Sequence, residues 1–106
     1  MNRKVRSQVA LAATILLAGA MSFAQSAGEA TYKAKCQSCH GASGTPNPAM
    51  AKMMNIKAVS DPDIKKLSAD QMFDSVKNGK GKMQPFKDKL TDDQIKDSVA
   101  YYRGLK

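Results

Sequence analysis

The chain has 106 residues, 42% of them hydrophobic and 25% charged. Those proportions suit one ordinary globular domain and exclude both a multidomain protein and a wholly disordered one. Two cysteines close at most one disulfide, which excludes a disulfide-dense scaffold, and a formal charge of +8 favours an anionic partner.

The chain opens with Arg3, Lys4 and Arg6 and no acid, followed by an apolar run of 12 residues from Val9 to Ala20. Ser22-Phe23-Ala24 then sets small residues at the −3 and −1 positions of a cleavage site. This order describes a secretory signal peptide over residues 1–24, with Ala18-Gly19-Ala20 as a second cleavage point. An uncleaved anchor is the alternative, but the run falls short of the roughly 20 residues that span a bilayer. Removal leaves a domain of residues 25–106 with fourteen basic and nine acidic residues, a charge of +5. A domain of that size buries little apolar surface and ordinarily needs a disulfide, a metal or a large cofactor.

The remaining pattern predicts helices and no strands. Ala27 to Lys35 reads as a first helix leading into the cysteines, and Gly41 to Pro48 as a loop. Ala49 to Lys57 is ambiguous, although Met50, Met53, Met54 and Lys57 keep a helical spacing. Asp61-Pro62-Asp63 looks like a helix start. Ser68 to Gln71 is a capping box, with Met72, Phe73 and Val76 as the apolar face behind it and Gly79 as the stop. Thr91 to Gln94 is a second box. It opens a helix whose Ile95, Val99 and Tyr102 share one face and which Gly104 closes.

The chemistry lies in Cys36-Gln37-Ser38-Cys39-His40, the C-x-x-C-H signature of c-type haem attachment. Two intervening residues let both sulfurs reach the two vinyl groups on one porphyrin edge, and the next residue, a histidine, falls beneath the iron. A thioredoxin-type redox motif would need a βαβ context, which is absent. A zinc site would need a fourth ligand, and His40 is the chain's one histidine. Bis-histidine ligation is therefore impossible, and methionine is the remaining neutral soft ligand. The candidates are Met50, Met53, Met54, Met72 and Met83. Met72 reads as core filling, and the other three of the first four as a wall of the haem pocket. Met83, between Gly79-Lys80-Gly81-Lys82 and Gln84-Pro85-Phe86, is favoured because loops present functional groups.

These residues resemble those of the small class I monohaem bacterial cytochromes c over essentially the whole mature chain. The likeness rests on Cys36 to His40, Met83-Gln84-Pro85-Phe86, Leu90 to Ile95 and Tyr101-Tyr102-Arg103-Gly104-Leu105. Gln84 is a departure, since the family often carries proline directly after the methionine. The resemblance implies an all-α fold of three to five short helices wrapped around one covalently attached haem. It implies Cys36 and Cys39 as thioether residues and His40 and Met83 as axial iron ligands. It also implies that Gly28 and Tyr32 of the first helix cross the last helix at Tyr101, where the helical stripe alone selects Tyr102. A proline carbonyl would accept the second N–H of the axial imidazole, with Pro48 the best match and Pro46 the alternative.

The function so implied is one-electron transfer in the periplasm, without enzymatic turnover. The alternative is a haem c subunit or docking domain of a periplasmic oxidoreductase or terminal oxidase. The expected partners are redox proteins with acidic docking surfaces, steered by Lys77, Lys80, Lys82, Lys87 and Lys89; a solvated charged face is the plainer reading of those lysines. No nucleic acid and no small-molecule substrate is expected, contact with the membrane is indirect, and the protein is expected to be a monomer. An apolar cavity between His40 and Met83 is expected as well.

Overall fold

A computed structural model describes residues 27–106; the proposed leader, residues 1–24, lies outside them. The described residues form helices joined by turns, with one isolated antiparallel bridge between Lys80 and Met83 and no strand. The described part of the first helix, α1, covers residues 27–35. It is followed by α2 (Gln37–His40), α3 (Pro48–Met54), α4 (Pro62–Lys65), α5 (Ala69–Asn78) and α6 (Asp92–Arg103). The count exceeds the expected three to five because α2 and α4 are four-residue turns of helix. No helix among the described residues is long and apolar enough to cross a membrane.

Local chemistry explains where these helices begin and end. In α5 the Ser68 hydroxyl accepts from the Gln71 N–H at 3.1 Å, and the Gln71 side chain accepts from the Ser68 N–H at 2.8 Å. Thr91 and Gln94 repeat the exchange for α6, with Asp92 and Asp93 at the positive end of its dipole. The ambiguous stretch after Pro48 is helical because Asn47 caps it through the Met50 N–H and Pro48 stands at N1. It stops at Asn55, which takes the left-handed conformation at φ 56°, ψ 48°. Asp61 caps α4 through the Asp63 N–H. Gly79 follows α5 at φ 81°, whereas Gly104 follows α6 at φ −82°, a conformation open to any residue.

The core sits between α5 and α6. Met72, Phe86, Leu90, Ile95 and Val99 are buried together, with Ile64, Leu67, Phe73, Val76, Met83 and Tyr102 packed against them. The segment after α5 is tied down by main-chain bonds from the Phe86 N–H to the Val76 carbonyl and from the Lys87 N–H to the Lys77 carbonyl. On the other side α1 meets α6 at Gly28. A Cβ built there would fall 2.2 Å from the Asp97 carbonyl oxygen and 3.2 Å from Tyr101 Cβ. Only glycine allows that approach, and Tyr32, one turn on, is 1% exposed.

Candidate functional site

The cysteine-histidine motif is held on a single helical turn. The Cys36 N–H donates to the Tyr32 carbonyl at the end of α1, and the His40 N–H donates to the Cys36 carbonyl at 2.9 Å. The two thiols are free, half-buried and three residues apart, so they share one side of α2. Burial, with a smaller contribution from Cys39, pushes the Cys36 thiol up to about 11. Burial also moves the His40 imidazole down from its ordinary value, so it is neutral at pH 7, the form that binds metal.

The His40 and Tyr102 rings meet in a T-shaped contact, with centroids 5.5 Å apart and planes at 64°. Tyr102 in turn packs against the α5–α6 cluster, and Met83 packs against the same cluster. Met83 is fixed by a two-residue turn, in which the Lys80 N–H donates to the Met83 carbonyl and the Met83 N–H donates to the Lys80 carbonyl. The other methionines separate by burial. Met72 lies in the core, Met53 is 61% exposed, and Met50 and Met54 are half-buried.

Of the two prolines considered for the imidazole, Pro48 is exposed at the start of α3 and Pro46 is buried. His40 Nδ1 is itself buried and has no hydrogen-bond partner among the described residues, Pro48 included. A cavity of about 300 Å³ is lined by Val59, Ile64, Met72 and Leu105 together with Lys65 and Arg103. Neither His40 nor Met83 lines it, which departs from the expected location; Met83 and Tyr102 lie directly on the core instead.

Both tyrosine assignments hold. Tyr101 stands at the α1–α6 crossing with its ring 5.3 Å from Tyr32, and Tyr102 turns toward the histidine. The Tyr102–His40 contact and a bond from the Tyr32 hydroxyl to the Gly41 carbonyl were not read from the sequence. The helical stripe through Tyr102 signalled burial but not what it faced. Among the five lysines near Met83, Lys77 pairs with Asp92, Lys82 donates to the Met53 carbonyl and Lys89 donates to Gln84. Lys80 and Lys87 are exposed and in no ion pair among the described residues.

The residues present fit a covalent haem. Two thiols and a neutral imidazole share one turn, and a buried imidazole nitrogen stands without a partner, a costly state for a group built for nothing further. Among the described residues no three His, Cys, Asp or Glu side chains gather to hold a bare metal ion.

Known proteins agree. A family model described as cytochrome c oxidase, cbb3-type, subunit III matches residues 23–101. Cytochrome c-555 of Chlorobaculum tepidum is 34% identical over 98% of this chain and 97% of its own length. Cytochrome c-555 of Methylococcus capsulatus is 33% identical over 90% of this chain and 79% of its own. The solved structure of the c-type cytochrome KustC0563 superposes with a TM-score of 0.67 at 30% identity, covering 74% of this chain and 96% of that one. By motif, fold and relatives alike, the chain belongs to the cytochrome c family, among its small class I monohaem members, as an electron carrier with covalently bound haem c.

Proposed function

We propose that the protein is a periplasmic one-electron carrier whose haem iron is held between His40 and Met83. The observation that carries this reading is the common support of the two side chains. His40 rests on Tyr102, and both Tyr102 and Met83 pack against the α5–α6 core. Residues 1–24 serve as the export signal and residues 25–106 as the haem domain. Cys36 and Cys39 supply the thioethers, which gives both thiols a stable fate in an oxidising compartment. Among the described residues no carbonyl accepts from His40 Nδ1, so a proline carbonyl as its partner stays part of this proposal, with Pro46 buried and Pro48 exposed.

Held by Cys36, Cys39, His40 and Met83, a haem would supply a one-electron couple, and thioether ligation would raise its potential. The rest is the work of the chain. With His40 and Met83 both given to the iron, the chain would leave no open position for a substrate, which favours carrying electrons over catalysis. Phe86, Leu90, Ile95 and Val99 form a dry wall behind the site. The Lys80–Met83 turn, with Phe86 and Lys87 beyond it bonded to α5, holds the Met83 segment in one place in either redox state. Lys80 and Lys87 offer free positive charge to an acidic redox partner, and the carrier acts as a monomer.

The mass of the purified mature protein tests leader removal and haem attachment together. The optical spectrum of the oxidised protein tests the methionine. Met83→Ala abolishes the weak far-red band of sulfur ligation; survival of that band assigns the ligand to Met50, Met53 or Met54. A second reading, a haem c subunit of a terminal oxidase, is favoured by the description of the matching family model. Isolation as a free monomer from native membranes and periplasm supports the carrier; co-purification with an oxidase supports the subunit.

A further inference from the structure

The Tyr32 hydroxyl donates to the Gly41 carbonyl at 2.7 Å, and Gly41 directly follows the axial histidine. Tyr32 is 1% exposed, so an unpaired hydroxyl there would be expensive, and a phenylalanine would fill the same space. The chain turns sharply at Gly41, at φ 83° and ψ 158°, where a Cβ would fall 2.1 Å from the Thr45 carbonyl oxygen. The bond thus anchors the turn by which the chain leaves the His40 helix, one residue beyond His40. The Tyr102 and His40 rings meet in a T-shaped contact, and the rings of Tyr32 and Tyr102 stack at 6.1 Å and 24°.

We propose that Tyr32 and Tyr102 form a two-ring clamp that sets the plane of the axial imidazole, Tyr32 through the Gly41 carbonyl and Tyr102 by direct contact. Both are positioning residues. The inference rests on the reading of His40 as an iron ligand. It connects the α1–α6 crossing to the electronic state of the site: the imidazole plane governs how unpaired spin spreads over the macrocycle, whereas a merely structural tyrosine would affect stability alone.

The test uses the mature holoprotein with Tyr32→Phe, Tyr102→Leu and Tyr102→Phe. The readouts are the haem-methyl proton shifts of the oxidised form and its electron paramagnetic resonance g-values. Tyr32→Phe keeps the ring and loses the hydrogen bond, and its methyl shifts are expected to spread differently from wild type. Tyr102→Leu is expected to move them further, and Tyr102→Phe, which keeps the ring contact, to restore the wild-type pattern. Lower stability with unmoved shifts and g-values in both Tyr32→Phe and Tyr102→Leu overturns the clamp while leaving haem and ligands in place. A wild-type protein that is coloured but lacks a low-spin histidine-ligated signal overturns the axial reading, and the clamp with it.

Discussion

Tyr32 carries three loads at one position: it packs on Tyr101, stacks on Tyr102 and bonds the Gly41 carbonyl. Burial, the largest cause, moves its phenol well above the ordinary tyrosine value of about 10. Above that pH the unfolded chain loses the proton while the native protein keeps it. The native state then binds more protons, and stability falls as pH rises from about 10 toward the native value. Below pH 10 the full contribution is present. We expect the stability gap between wild type and Tyr32→Phe, measured by urea midpoints, to be constant from pH 7 to 9. It should then shrink by up to about 1.4 kcal/mol per pH unit above 10, the slope of one proton. A gap that stays level to pH 11.5 would mean that Tyr32 titrates as an exposed phenol.

The elements depend on caps and on one close crossing, and the two differ in cost. Thr91→Ala removes the hydroxyl that accepts from the Gln94 N–H, so chemical denaturation should show a loss of about 1 kcal/mol. Gly28→Ala has a larger effect for a different reason. Its new methyl would fall on the Asp97 backbone carbonyl, which has no rotamer to escape by, and α1 must move away from α6. Overpacking of this kind costs about 1–3 kcal/mol, and we expect equilibrium unfolding of the holoprotein to show it. Because the crossing carries Tyr32, Gly28→Ala should also perturb the haem spectrum, whereas Thr91→Ala should not.

At the scale of the whole molecule the question is how a small basic protein finds its partner. Residues 25–106 carry +5, but the lysines near Met83 are not equivalent. Lys77, Lys82 and Lys89 already have partners within the molecule, leaving Lys80 and Lys87 as free charge. With an acidic redox partner, replacing Lys80 and Lys87 by glutamate together should lower the association rate about tenfold at low salt. Stopped-flow rates of the two proteins should converge by 1 M salt, where the Debye length is about 3 Å. The same pair of changes at Lys65 and Lys106, exposed and in no ion pair among the described residues, serves as the control for net charge alone.

Much of this was legible in the chain, for a physical reason. Caps act across three residues and covalent haem attachment across five, so Ser68–Gln71, Thr91–Gln94 and Cys36–His40 announce themselves without any tertiary contact. The stretch after Pro48 was ambiguous because its methionines suit a core or a wall equally, and the cap at Asn47 decided it. What no local rule could assign was direction. Tyr101 and Tyr102 are adjacent, and only the close approach of α1 at Gly28 sends one to the crossing and the other to His40. Likewise Pro46 is buried and Pro48, the first residue of α3, is exposed, and the lysines differ in which carbonyl or carboxylate lies within reach. Sequence alone determined the helix ends and the chemistry of the attachment turn, since those are written in neighbouring residues. Tertiary structure decided what each side chain faces, since that depends on which helices meet.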